Sequence, residues 1–482
     1  MKERDVVRRL IAFAQGRPLP RGTTRQLHIA ADEDLLIVAF VRMGGESRPW
    51  GIAFGHPGAD PEILTVPEGR NRDLVAGMCS SFAPVLLRHL RTPGFAGLPP
   101  AEEEELRPLR QVWLPNGSHA DMLHHLAYAY TFTRRGPVAG TILNPLGRAA
   151  GWLFREAQRP GQQHVITATE ALRTSYTFPA QSTRLEHLGF LLAWLDGELA
   201  PAERPAAAQK AEELAVSTAL DPTLERTRLA KPLDDWHDAR DEGDAGREHA
   251  NASEITRVLE EELGRRYRLT EQAISLLRAD GRRTNRGVAE LVDEALAEQW
   301  REHTRLESGH AAGDDPPPFT PSPETDRDPA AAGARYMAHL ASASLVESVL
   351  LHDDPELQDE AIARGDGFRG TVTGVGERRS GRWARTVLTV RDENPGPLRL
   401  RAGSWVCVIG SPESSGTLLA LRDESDGRRT FEVEFRRNPR RTVGSAIGFV
   451  ESSNHHLSRR KSSLIWSDDE PGSWLTHAAL NE

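Results

Sequence analysis

The residues of this chain best suited to chemistry are arginines. Arg378, Arg379, Arg382 and Arg385 form one cluster with Trp383 inside it, and Arg436, Arg437, Arg440 and Arg441 form a second. Guanidinium groups fork onto phosphate oxygens, and a tryptophan set among them offers a face on which a base can stack. From residue 365 to 450 there are 15 arginines against 10 acidic residues, whereas the whole chain carries −10. A basic module on an acidic protein is a docking surface for a polyanion, most simply DNA or RNA. The plain alternative is a solvated surface in an arginine-biased chain, since only Lys2, Lys210, Lys231 and Lys461 among the 60 basic residues are lysines.

Other candidate chemistry is thinner. His119, Asp121, His124 and His125 bunch within two helical turns, but no two of these histidines stand four apart, the spacing that aims two ligands from one face. The run from Asp234-Asp235-Trp236-His237-Asp238 to Glu248-His249 reads as a solvated loop or helix end. GxxxxGK[ST], Gly-x-Ser-x-Gly, His-Glu-x-x-His and paired-cysteine motifs are all missing. Cys79 and Cys407 are too far apart in sequence to suggest a disulfide framework, and two cysteines suit a reducing cytoplasm. No cofactor or metal is implied, and by elimination the chain acts by binding.

The elements that must position the arginines are strands. Gly370–Val375, Ala384–Val390, Trp405–Ile409, Gly416–Leu421 and Thr430–Phe435 alternate apolar and polar residues between Gly, Pro, Asn and Asp turns. Five such strands fit a small OB-like or SH3-like barrel over 365–450. Trp405, flanked by Val406 and Val408, is expected in its core. Trp383, beside a glycine and two arginines at a hairpin turn, is the better stacking candidate.

The N-terminal region alternates differently. Glu3 to Gln15 reads as an amphipathic helix with Val6, Val7, Leu10, Ile11 and Phe13 on its apolar side. Strands are expected at Gln26–Ala31, Leu35–Met43, Trp50–His56 and Ile63–Val66, then a helix from Asp73 to Leu90 kinked at Pro84. A strand at Gln111–Leu114 follows, and Ser118 caps a helix to Phe132. This order, with the segment QVWLPNGSHADMLHHLAYAY, resembles the RNase H-like domains that accompany RecB-family nucleases and superfamily 1 helicases. The resemblance covers residues 1–140 and implies a mixed α/β fold. Active members of that class grip two metal ions with carboxylates, one of them inside the first strand. Here QLHIAA and LLIVAFVRM contain none, and Asp32, Glu33 and Asp34 fall in the turn between them. The resemblance therefore implies a degenerate domain; its enzyme alternative is a metal-dependent nuclease using Asp32, Asp34, Glu46 and Asp121.

Residues 141–309 read as a helical domain, with Ser253 capping Glu254–Tyr267 and Thr270 capping Glu271–Ala279. His164 to Leu172 is expected to be helical. Residues 310–330 are a Pro- and acid-rich linker, 331–364 a helical connector and 451–482 a polar tail. No stretch reaches the roughly 20 apolar residues needed to span a bilayer, and the charged N-terminus does not read as a signal peptide. The architecture expected is thus an α+β multidomain chain. Its function would be that of a cytoplasmic, non-catalytic nucleic-acid-binding or scaffold subunit, working with a separately encoded helicase or nuclease in DNA repair or phage defence. A protein-protein scaffold that touches no nucleic acid is the remaining alternative.

Overall fold

The computed structural model describes residues 3–90, 109–132, 141–307, 345–380, 383–392, 396–436 and 439–451, with Pro321 and four positions between 339 and 343. The 310–330 linker, apart from Pro321, and the tail beyond Glu451 lie outside the described residues.

After α1 (Glu3–Gln15) and the short β1 (Leu19–Pro20), the chain builds a sheet from β2 (Leu35–Val41), β3 (Gly51–Gly55) and β4 (Glu62–Thr65). Next come α2 (Arg72–Leu90), β5 (Gln111–Leu114), α3 (Gly117–Tyr130), α4 (Leu143–Gln158), β6 (Val165–Thr167) and α5 (Ala168–Ser175); β7 (Tyr176–Thr177) pairs with β1. The sheet order is β4-β3-β2-β5-β6. β2, β3 and β4 are antiparallel, while β5 and β6 run parallel to β2. All seven residues of β2, LLIVAFV, are buried, as befits a central strand covered on both faces. Because successive side chains alternate, Leu36, Val38 and Phe40 join the core under α2, α3 and α4, and Leu35, Ile37, Ala39 and Val41 join the opposite core.

That opposite face is covered by helices that lie between residues 168 and 279. α6 (Leu188–Leu195) and α7 (Arg204–Ala211) precede α8 (Pro222–Leu224), which runs through a π-turn at Glu225–Leu229 into α9 (Ala230–Glu242). Gly243 at φ 73° ends α9, and Asp244 caps α10 (Ala245–Ala279) by accepting from the Gly246 and Arg247 amides. Ile255, Val258, Leu259, Leu263, Tyr267 and Ile274 of this 35-residue helix lie in the same core as Ile37 and Ala39. α11 (Gly287–Glu307) and α12 (Pro355–Arg364) lead to the barrel.

Several sequence expectations change. Gln26–Ala31 is not a strand; instead Val165–Thr167, read as part of a helix, is the outermost strand of the sheet. The boundary placed at residue 140 separates no cores, since one cluster draws on residues from Leu27 to Leu277. Ser253 and Thr270 do not cap helices. Their hydroxyls donate to the His249 and Arg266 carbonyls, 2.9 Å each, within the unbroken α10. Asn116, not Ser118, caps α3. Trp236, read as part of a solvated run, is buried on α9. α1 is turned the other way from expectation: Val6, Val7, Leu10, Ile11 and Phe13 point outward, the last 75% exposed, while Arg8 reaches inward to Glu356 at 2.6 Å.

The C-terminal module is a closed antiparallel barrel of six strands. They are β8 (Gly367–Ser380), β9 (Trp383–Asp392), β10 (Trp405–Val408), β11 (Ser411–Asp423), β12 (Arg429–Phe435) and β13 (Ala446–Glu451), ordered β10-β11-β12-β9-β8-β13. β13, absent from the five strands expected, closes the barrel between β8 and β10. Phe368 stacks on Phe431 at 3.8 Å and packs against Phe449, which with Phe435 fills the centre. Trp405 is 40% exposed and stands outside that core, contrary to expectation. A fully buried carboxylate, Asp354, ties the barrel's lead-in to the N-terminal loop. It accepts from the Thr23 and Thr24 amides, the Thr24 hydroxyl and the Glu356 amide at 2.9–3.2 Å.

Candidate nucleic-acid interface

The barrel sorts its arginines into two populations. At the end where β11 turns into β12, Arg391 reaches Asp426 and Glu424, Arg428 reaches Asp426, and Arg429 reaches Asp392, while Arg401, just before β10, makes no ion pair among the described residues. Arg422 pairs with Glu432, Arg399 with Asp366 and Arg369 with Asp359. Those six are held by the barrel's own acids or its immediate neighbours.

The opposite end is different. Arg378 on β8 lies directly across from Arg385 on β9, and Phe435 on β12 is across from Thr386, so Arg436 continues the same cross-strand row. Adjacent strands are about 4.8 Å apart, which makes Arg378, Arg385 and Arg436 a short ladder of cations. The acid that faces them is Glu434, 3.9 Å from Arg378 and 3.8 Å from Arg385. Among the described residues Arg379, Arg436 and Arg441 make no ion pair. Arg441 follows Arg440, whose φ of 54° is unusual for a residue with a side chain. The segment from Pro439 to Ser445 leads from β12 to β13, and its far end is tied to β8 six residues before Arg378, where Gly444 donates to Val372 and Val372 to Ser445.

Thus four of the expected contacts, Arg378, Arg379, Arg385 and Arg436, gather at one end of the barrel, while Arg440 and Arg441 lie on the segment that leads from β12 to β13. Arg382, Arg437 and the Trp383 side chain lie outside the described residues. Of two further neighbours of this surface, the sequence reading assigned Trp405 to the core and missed Glu434. Trp405 is exposed and pairs with Thr417, which in turn pairs with Glu434, so it shares their outward face. Glu434 was legible as outward-facing from the alternation Phe431, Val433, Phe435. Its proximity to the arginines depends on strand register.

The carboxylates of the nuclease alternative do not come together. Asp32 and Asp34 precede β2, where they bind Arg278 and Arg110 at 2.6 and 3.1 Å. Glu46 follows β2 and accepts from Trp50 and Arg70. A seven-residue strand separates the two sites by roughly 20 Å, against the spacing of about 4 Å that a two-metal centre needs. Asp121 is exposed on the first turns of α3. His119 is fully buried, accepting from the Phe40 amide at 3.0 Å and donating to the Val216 carbonyl at 3.1 Å, while His124 packs on Phe154. Among the described residues no group of three or more His, Cys, Asp or Glu is placed to hold a metal ion. Nor is any described helix long and apolar enough to cross a membrane.

No family model, curated protein or solved structure matches this chain. Its chemistry therefore rests on its own geometry, and that geometry offers a cationic surface on a rigid barrel.

Proposed function

We propose that the chain is a non-catalytic nucleic-acid-binding subunit that grips a polyanion with the Arg378–Arg385–Arg436 end of its barrel. The observation carrying this reading is the uneven matching of charge: Arg391, Arg428 and Arg429 at one end meet carboxylates, while among the described residues the ladder at the other faces Glu434 alone. Guanidinium groups held in a row by strand register lose little freedom on meeting successive phosphates. Residues 1–140, with the strand Val165–Thr167 that the sheet adds to them, are read as a degenerate RNase H-like scaffold. Its support is the order of elements, an antiparallel three-strand meander followed by helix, parallel strand, helices and parallel strand. A protein partner, such as a helicase or nuclease acting in DNA repair or phage defence, is supported by the outward apolar row of α1.

The test is fluorescence anisotropy of labelled oligonucleotides with the whole chain. Binding should weaken with salt by about 0.7 to 0.9 log units per log unit for each phosphate contacted. Replacing Arg378, Arg385 and Arg436 by Ala should lower both affinity and slope, while Arg422→Ala at the matched end should leave them unchanged. Absence of binding at about 50 mM salt, where such contacts are strongest, would overturn the reading and leave a protein-only scaffold.

A further inference from the structure

We infer that the polyanion this barrel takes is a single strand of nucleic acid, held with one base stacked on Trp405, an inference that rests on the polyanion-binding reading above. Strand register puts the tryptophan and the arginine ladder on one wall. Trp405 on β10 is partnered by Thr417 on β11, Thr417 by Glu434 on β12, Glu434 by Val387 on β9, and Val387 by Gly376 on β8. Directly opposed residues share a face. The chain neighbours of this row, Val406, Val433, Phe435 and Leu388, are all buried, so the row itself faces outward. Arg385 and Arg378 stand two residues along β9 and β8 from Val387 and Gly376, on that same face, and Glu434 lies within 4 Å of both.

The row makes a low floor between the two. Apart from Glu434, it offers nothing larger than valine from Thr417 to Gly376, and the next pair, Thr389 and Gly374, continues it on the side away from the arginines. Five strands at about 4.8 Å give the row a length of roughly 19 Å, enough for several nucleotides. Trp405 closes one edge and is 40% exposed, although the barrel interior is filled by phenylalanines. Cations that track a backbone, combined with an aromatic ring that takes a base, are the two parts of single-strand binding. In a duplex each base face is covered by its neighbours in the stack, whereas an unpaired base has a face to give the indole. An arginine ladder by itself would hold either form; the exposed indole on the same wall selects the single strand.

The experiment measures anisotropy of labelled probes of one length with the full chain: oligothymidylate, oligouridylate, an abasic DNA strand and a DNA duplex. One of the two base-bearing single strands is expected to bind tightest, and which of them does so decides between DNA and RNA. Trp405→Ala should weaken that binding about five- to 150-fold, the worth of one stacked base. The salt slope should stay as in the parent, since no phosphate contact is lost, and affinity for the abasic strand should not change. Trp405→Phe keeps a ring and should restore most of the binding, with thermal melting verifying that both variants are folded. Should Trp405→Ala fail to fold, Trp405→Phe and the abasic comparison on the parent carry the test. Three results would each overturn the inference while leaving polyanion binding intact: a folded Trp405→Ala variant that binds like the parent, an abasic strand bound as tightly as the base-bearing ones, or a duplex bound equally or more tightly. Binding to none of the probes would overturn both readings together.

Discussion

Arg378 and Arg385 face each other across the β8–β9 ladder and both reach toward one carboxylate, Glu434, at 3.9 and 3.8 Å. Those distances are long for an ion pair, and exposed pairs contribute only about 0–1 kcal/mol to stability. Glu434→Gln should therefore change unfolding little while removing the negative charge that faces the ladder. Affinity for polyanions should rise about two- to fivefold, the equivalent of about 0.5–1 kcal/mol. An anisotropy titration showing equal or weaker binding would mean that the ladder is not the contact surface.

Asp354 is the joint between the barrel's lead-in and the N-terminal loop. Its carboxylate is fully buried and satisfies two amides and a hydroxyl at Thr23 and Thr24 besides capping α12. Asp354→Ala loses a helix cap and leaves these donors without an acceptor, so it should cost about 3–5 kcal/mol in urea unfolding. Asp354→Asn keeps one amide oxygen for the cap and should cost less. A loss below about 0.5 kcal/mol for the Ala variant, the range of ordinary surface changes, would show that water replaces the carboxylate.

α10 offers a contrast between a carboxylate that caps and hydroxyls that do not. Asp244 accepts from the Gly246 and Arg247 amides at 3.1 Å, whereas Ser253 and Thr270 donate to carbonyls one turn back in the helix. Asp244→Ala should cost about 1 kcal/mol, and Ser253→Ala should be neutral or slightly stabilising, since alanine is the better helix former. If Ser253→Ala matched the Asp244→Ala loss in thermal unfolding, α10 would be two helices in solution.

The same residues show what was legible in advance. LLIVAFV announces a buried strand because a run of seven apolar residues, with Ile, Val, Phe and Val among them, is too short for a core helix and suits a covered sheet position. The barrel's Phe431, Val433 and Phe435 announce their facing through a period of two. Ser253 and Thr270 misled because a hydroxyl that can cap a helix can equally bond the carbonyl four residues back, and the choice is made by packing of Val258, Leu259 and Ile274 against the sheet. β6 was hidden because three residues at the parallel edge of a sheet carry no alternation of their own. In α1 the apolar row was visible but not its direction, which is set by Arg8 reaching Glu356, 348 residues away. Glu434 illustrates the same limit at the candidate site: its side of the strand follows from sequence, its neighbours from register.

Two buried histidines, His119 and His89, and the half-buried His28 make stability depend on pH, with a sign that follows from desolvation. His119 and His89 are each pushed down to about 3 and His28 to about 4, in every case chiefly by desolvation. The unfolded chain binds a proton at each imidazole near pH 6.5, whereas the folded chain keeps them neutral. Their contribution is thus fully present above about pH 6.5 and is lost as pH falls from there toward 3–4, each site weakening the fold by on the order of 1.4 kcal/mol per pH unit. Urea unfolding at pH 7, 6 and 5 should show that decline. His119→Gln lowers stability at every pH because it disturbs the bonds to Phe40 and Val216. It should nevertheless flatten the slope by one proton, a change that lost packing alone would not produce. An unaltered slope would mean that His119 is protonated in the folded chain and that the geometry around it, an acceptor at Nδ1 and a donor at Nε2, does not hold in solution.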